Sequence, residues 1–377
     1  MTQRQNLRIA IIGAGPGGLT LTRLLQQQDY TPQVFEREVS ANARTQGGSL
    51  DLHPDAGLHA IELAGLQAEF RAHARTEDQD LRIVDDHFNV LREDHDDGRP
   101  EIDRGELRQL LLGSVQPDSI TWGSQLDSVQ DNDDGTLSLE LNGKLSEPFD
   151  MVVGADGAWS RVRPLLADIK PSYAGEAYFE LSIDNIDQRY PKVAKTVGHG
   201  TLLAVRGEQG MITQRNAGGR IRIYVIFRKS EAAMEQLGID ELKPAAAREQ
   251  LLAQFAGWHS DLLDIIRVSS DTIITRKLYA LPVGFTWPTH PGVTLIGDAA
   301  HLMPPTAGQG VNQAMLDAVE LCQALTGSPD NLAGAIRSYE QSMFARTKRW
   351  AAISAEGLDK IVHEDAPATT LEYFSKF

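Results

Sequence analysis

Residues 7–12, LRIAII, are apolar at nearly every position after a polar start, the pattern of a strand buried on both faces. From Gly13 the spacing changes. In GAGPGGLTLTRLLQQQ, Leu19, Leu21, Leu24 and Leu25 share the apolar side of a helix, and TPQVFER returns to strand. This opening is a βαβ unit. A glycine-bearing loop over 43–57 leads to a helix from Leu58 through Ile61 and Leu66 to about Phe70. Asp103 begins a D-x-x-E capping box to Glu106 ahead of the helix RQLLLGSV. Residues 126–141 read as two strands joined by a turn at DNDDG, and 150–166 as strand, tight turn and helix.

The pattern then shifts. YFELSID, TLLAVRG, GMITQR, GGRIRIYVIFRK and DTIITRKLYAL are short alternating runs that predict an antiparallel sheet, with the helix PAAAREQLLAQFAGW inserted. VTLIGDAA is again a buried strand and turn, and the remainder of the chain is helical: GVNQAMLDAVELCQAL, then a long run from 332 to about 362. The expected fold class is α/β: a three-layer, Rossmann-like nucleotide-binding domain in non-contiguous pieces, interleaved with an antiparallel-sheet domain and followed by a C-terminal helix.

Composition narrows the function classes. The length of 377 residues suits two domains, and 41% hydrophobic with 23% charged residues is ordinary for a globular chain. A net charge of −16 argues against nucleic acid and anionic membrane surfaces as partners. The single cysteine, Cys322, excludes an intrachain disulfide and any CxxC site, and its apolar helical setting predicts a buried inert thiol. The apolar N-terminal stretch resembles a secretory signal in hydropathy only. Its four glycines and proline, and the lack of a small-residue cleavage pattern, argue against one. With no run of about 18 apolar residues, a cytoplasmic protein without membrane insertion is expected. The acidic stretch 93–106, with Asp94, His95, Asp96 and Asp97, reads as a solvated loop rather than a metal site, and DNDDG fails the spacing of a calcium loop.

Three stretches carry candidate chemistry. Gly13, Gly15 and Gly18 fit GxGxxG between strand and helix: a tight turn, close approach of a pyrophosphate, and close helix–strand packing. The helix start offers free N–H groups to phosphate, and Glu36, at the end of the second strand, suits the hydroxyls of an adenosine ribose. An acid there favours NAD or FAD over NADP. The second stretch, GADGAWSRVR, has Asp156, Gly157, Ser160 and Arg163 at a strand end, a ligand loop or a plain strand–helix turn. In the third, GDAAHLMPPTAGQGVN, Asp298 suits a sugar-alcohol chain, and Pro304 and Pro305 stiffen the loop. Gly308 and Gly310 admit a planar ring at a helix start, and His301 reads as a local structural residue.

Together these stretches resemble the motifs of the class A FAD-dependent aromatic monooxygenases, the hydroxybenzoate-hydroxylase-like group, over nearly the whole chain. Within it, FEREVSANARTQGGSLDLH, EIDRGELR, GDAAHLMPPTAGQGVN and SYEQSMF look most like the tetracycline-inactivating flavin monooxygenases. The resemblance implies FAD as cofactor, NADPH or NADH as transient electron donor, O2 as co-substrate, and hydroxylation of a phenolic or enolic compound through a flavin C4a-hydroperoxide. It implies that Glu36 and Arg37 meet the adenosine side and that Arg44 meets flavin or nicotinamide. It places Asp51 against the flavin, Arg104 near pyrophosphate and ribitol, Asp298 on ribitol or pyrophosphate, and Pro305 to Gly310 beside the ring. No protein side chain is implied as catalyst and no metal as cofactor.

The domains implied are an FAD-binding domain over 1–75, 101–170 and 284–328, a substrate domain over 76–100 and 171–283, and a C-terminal helical segment over 329–377. Substrate contacts fall near Glu180, Thr201, Arg222 and Tyr224, where the chain departs from the tetracycline enzymes in size and charge. The expected activity is hydroxylation of a polycyclic phenol or enol, with tetracycline inactivation, and so antibiotic resistance, as one case. The alternatives are a same-fold hydroxylase of a smaller aromatic or secondary metabolite such as a quinolone, and a flavin-fold protein that sequesters a ligand. A monomer is expected.

Overall fold

The computed structural model describes residues 7–43, 48–76, 79–95 and 100–376. The chain opens with β1 (Ile9–Ile12), α1 (Pro16–Gln26), β2 (Gln33–Glu36) and β3 (Ser49–Asp51). Two helices follow, α2 (Gly57–Leu63) and α3 (Gln67–His73). The spacing predicts one helix here; Gly65, at φ +71, breaks it. A hairpin comes next, β4 (Asp80–Val84) and β5 (Val90–Asp94), then β6 (Glu101–Asp103) and α4 (Arg104–Ser114). Asp103 ends a strand, and its Oδ1 accepts from Arg75 at 2.8 Å and Asn216 at 3.3 Å.

The strands β7 (Ile120–Trp122), β8 (Leu126–Asp131), β9 (Leu137–Leu141), β10 (Lys144–Leu145) and β11 (Met151–Gly154) precede the short helix α5 (Arg163–Leu166). Next come β12 (Ser172–Ile183), α6 (Ile186–Arg189), α7 (Pro191–Val197), β13 (Gly200–Arg206), β14 (Gln209–Asn216) and β15 (Arg220–Arg228). The helices α8 (Glu231–Glu235), α9 (Pro244–Gln254) and α10 (Ser260–Arg267) lead to β16 (Ile274–Ala280) and β17 (Val293–Leu295). The chain closes with α11 (Asp298–His301), α12 (Gly310–Gly327), α13 (Leu332–Ile361) and α14 (Ala368–Phe374).

Two compact units form, each from three pieces of chain. The first comprises 1–74, 104–172 and 279–354. Its parallel sheet has the order β17-β11-β1-β2-β7. All four residues of β1 and of β11 are buried, which is why both read as unbroken apolar runs. In the same unit α1 packs on α12 and α4.

The second unit comprises 75–103, 173–278 and 355–377, around a seven-stranded sheet of order β16-β12-β15-β14-β13-β4-β5. The strands β12, β15, β14 and β13 pair antiparallel, whereas β13 and β4 run parallel. One face, with Phe179, Ile223 and Phe227, packs against α7, α9 and α10. The other is covered at one end by Ile361, Val362 and Tyr373. Among the described residues no helix is long and apolar enough to cross a membrane.

Candidate active site

In the first unit the three motif stretches leave neighbouring strands at the same level. Ile12 lies opposite Gly154, and Gly154 opposite Leu295. The main chain beyond them stays paired: Ala155 N donates to Ile12 O at 2.8 Å and Ile296 N to Gly154 O at 2.9 Å. The loops after β1, β11 and β17 thus share the carboxyl edge of a parallel sheet, where such sheets bind ligands. The approach is tight. A Cβ on Gly13, whose φ is +108, would stand 2.4 Å from Ala155 O, and one on Gly18 2.1 Å from Gly13 O. A Cβ on Gly15 or Gly157 would meet nothing within 4 Å, so the main chain there is open to a ligand.

Glu36 ends β2 and is buried. Its Oε2 accepts from Ala14 N at 2.7 Å and its Oε1 from Glu38 N at 2.9 Å, which leaves acceptor capacity on both oxygens. Arg37 is exposed. Beneath this turn lies Arg108, a residue the motif reading passes over. It is 2% exposed, donates to Ala14 O and Ala41 O, and pairs with Glu38 at 2.9 Å. Its signal was present in EIDRGELR, one turn after Arg104, but there it reads as part of an amphipathic helix. Arg104 itself is exposed, and its main-chain N donates to Gly48 O. Arg44, like Asp96 and Asp97 of the acidic stretch, lies outside the described residues.

The loop after β11 is held by its own acid. Asp156 Oδ2 accepts from Arg161 N at 2.7 Å, while its Oδ1 is buried without a hydrogen-bond partner among the described residues. Burial raises this carboxyl above the usual range. Ser160 Oγ accepts from the N–H groups of Val162 and Arg163. The Arg163 guanidinium, 1% exposed, donates to Ala158 O and Ala299 O, and so ties the second motif loop to the third.

In the third loop Asp298 is exposed and opens α11. A Cβ on Gly310 would sit 3.9 Å from Asp298 Oδ1, and one on Gly308 3.9 Å from Asp51 Oδ2. Asp51, Asp298, Gly308 and Gly310 therefore lie together. Pro305 is exposed one turn before. Asn312, fully buried, joins the pieces: its Oδ1 accepts from His53 N and Gly57 N, and its Nδ2 donates to Asp51 O at 2.8 Å. The first turns of α1 and α12 hold no acidic residue and no side-chain cap, so their N–H groups stay available to an anion.

In the second unit, register settles which expected residues share a face. Glu180 lies opposite Tyr224, Arg222 opposite Gln214, and Gln214 opposite Thr201. Glu180, Arg222, Tyr224 and Thr201 thus project from two adjacent rungs of one face. Glu180, 8% exposed, pairs with Arg222 through one oxygen and with Arg276 at 3.1 Å through the other. Tyr224 meets Tyr178 edge-on, ring centres 5.1 Å apart.

The family model described as an FAD binding domain matches residues 6–342. The chain belongs to this family. Among curated relatives, the monooxygenase penA of Penicillium thymicola is 31% identical, the match covering 93% of this chain and 94% of that protein. The fold is similar to that of Klebsiella pneumoniae HpxO complexed with FAD and uric acid: TM-score 0.82, 21% identity, 99% of this chain and 93% of that one. It is also similar to that of tetracycline destructase Tet(55), with TM-score 0.75, 21% identity, and 100% and 96% of the two chains covered. This FAD-binding family member is an FAD-dependent monooxygenase.

The residues present fit that cofactor. Gly15 leaves the main chain open where a diphosphate would approach two uncapped helix starts, and one buried oxygen of Asp156 has no partner among the described residues. Glu36, Asp51 and Asp298 offer carboxylate acceptors for hydroxyls at three points around the same sheet edge.

Proposed function

We propose that this monooxygenase hydroxylates a small, planar phenolic or enolic compound, held by its acidic oxygen on the Arg222 face of the second unit. The observation that carries this reading is the charge balance at Glu180. One carboxylate faces two guanidinium groups, leaving one positive charge in excess beside the Tyr178–Tyr224 pair. Such a site favours a phenolate or enolate over a neutral ring. The tyrosine pair, with Tyr224 in the rung next to Arg222 and Tyr178 one rung further, narrows the surface for a bulky polycycle. HpxO, a fold neighbour, was seen with uric acid, itself a small planar acid. Inactivation of tetracycline is the second reading, favoured by the likeness to Tet(55).

FAD, when bound, takes a hydride from NADH or NADPH and activates dioxygen for transfer of one oxygen atom to an electron-rich carbon. The proposed holders are Gly13, Gly15, Gly18, Glu36 and Arg37 for the adenosine and diphosphate side. Asp51, Arg104, Asp298 and the 305–310 loop would hold the ribitol and ring side. The work of the second unit is orientation. Glu180 fixes the Arg222 fork, Arg222 keeps the substrate oxygen ionised and therefore its ring electron-rich, and Thr201 offers a hydroxyl on the same face.

The test is mass spectrometry after incubation of the protein, FAD, NADPH or NADH and air with uric acid, a hydroxyquinolone, a hydroxybenzoate or tetracycline. A product one oxygen heavier from a small acid, dependent on every component, supports the reading. Turnover of tetracycline alone replaces it with the second. Tight binding without product by any nicotinamide points to a ligand-sequestering protein.

A further inference from the structure

We propose that Asp317 and His301 are positioning residues for the flavin, holding in place the turn that carries Asp298. This rests on the reading of Asp298 as a cofactor contact. The turn is short: Ala300 N and His301 N both donate back to Gly297 O. One oxygen holds both of its ends. Asp317 Oδ2 accepts from Gly297 N at 2.8 Å and from His301 Nε2 at 2.6 Å. Asp298 lies between these anchors and, among the described residues, takes no hydrogen bond of its own, so its carboxylate faces outward from a turn clamped behind it.

The clamp extends further. Arg346 donates to the other oxygen of Asp317 at 2.7 Å and also reaches Gln313 Oε1. Gln313 Nε2 donates to Gln309 Oε1 at 2.9 Å, and Gln309 Nε2 stands 3.3 Å from His53 Nδ1. A single chain of polar side chains therefore runs beneath the three segments that bear Asp51, Gly308–Gly310 and Asp298. Asp317 is fully buried and His301 is 7% exposed.

Stability alone does not account for such an arrangement. A buried ion pair roughly breaks even against a well-packed apolar core, whereas a network of directional bonds fixes relative position. The His301 ring supports this. Its Nδ1 is buried with no partner among the described residues, so among them Asp317 is the one hydrogen-bonding hold on the ring. Burial would raise the Asp317 carboxyl, but its contacts with His301, Arg346 and the Gly297 N–H hold it below the usual range, so the Asp317 carboxylate is ionised at neutral pH.

The experiment compares Asp317→Asn, His301→Leu, His301→Gln, Asp298→Ala and Glu340→Gln. Two quantities are measured on each: the FAD dissociation constant of the full chain, by flavin fluorescence, and the thermal midpoint of the apoprotein. Glu340→Gln is the control. It alters a buried acid bonded to Trp287, Thr289 and Thr294 but leaves the bonds of the 297–301 turn in place. His301→Leu and Asp317→Asn are expected to weaken FAD by about tenfold or more. His301→Gln, which still reaches Asp317, recovers part of the loss, and Glu340→Gln lowers the midpoint with little change in FAD affinity. Unchanged FAD affinity in His301→Leu overturns the proposal, as does a loss that only tracks the midpoint along the line set by Glu340→Gln. If Asp317→Asn does not fold, the two His301 variants decide. If Asp298→Ala binds FAD as tightly as the parent, the underlying reading of Asp298 fails instead.

Discussion

Glu176 allows a stability argument with its sign and size worked out. It sits on β12, 4% exposed, and its Oε1 has no hydrogen-bond partner among the described residues. Burial pushes its carboxyl up from 4.5 to about 8; Arg228 pulls it back only in part, and Asp359 adds to the rise. Arg228 is committed elsewhere, pairing with Asp359 at 2.7 Å and donating to the carbonyls of Leu358, Asp359 and Val362. In the unfolded chain the Glu176 proton leaves near the ordinary value; in the folded chain it stays until about pH 8. Between those limits the unfolded state binds fewer protons, so rising pH lowers stability. At 1.36 kcal/mol per pH unit, the loss from about pH 5 to about pH 7 is about 2.5 kcal/mol, an upper bound once water penetration is allowed for.

Glu176→Gln keeps the shape and removes the titration. The assay is the thermal midpoint of parent and variant at about pH 5, 7 and 8, read as the difference between the two proteins so that all other groups cancel. The variant is expected to gain on the parent as pH rises, by a few degrees at about pH 7, and to level off above about pH 8. An offset constant across pH refutes the reasoning, because it means the carboxyl ionises in the folded chain near its ordinary value.

Three further outcomes rest on local contacts. Asn312→Ala strips the acceptor from His53 N and Gly57 N at once, and should lower the apoprotein stability by about 2 kcal/mol, measured by urea unfolding. Arg222→Met should leave FAD occupancy intact while the fraction of NAD(P)H consumption coupled to product falls and released peroxide rises. Cys322, whose thiol burial pushes up to about 12, should resist iodoacetamide at about pH 8 until the chain is unfolded, as judged by intact mass.

The first unit was largely legible because its signals are local. The close contact of Gly18 with Gly13 O arises within one strand–turn–helix, the G-x-G-x-x-G spacing that also holds Gly13 is read in one segment, and the apolar runs of β1 and β11 report burial on both faces directly. The second unit was less so. The β4–β5 hairpin has Leu81, Ile83 and Val84 on one strand but mostly charged or exposed residues on the other, and no periodicity marks it. The shared face of Glu180, Thr201, Arg222 and Tyr224 comes from strand pairing, which no single segment encodes; only the resemblance brought the four together beforehand.

The residues behind the site show where reading by segment stops. In GVNQAMLDAVELCQAL an aspartate reads as the solvated face of an amphipathic helix, yet Asp317 is wholly buried. A charge inside a helix is ambiguous on its own: exposed it is trivial, and buried it costs several kcal/mol unless it is paired. The pairing comes from Arg346 on another helix and from His301 on the loop before, with Gly297 supplying a main-chain donor. Each partner also looks ordinary in its own segment: a basic residue in a long polar helix, a histidine in a turn, a glycine after a strand. Only their convergence on one carboxylate distinguishes a clamp from three unrelated surface features. The motif-bearing side of the loop, Asp298 to Gly310, is therefore the part that sequence exposes, and the part that holds it still is the part that sequence conceals.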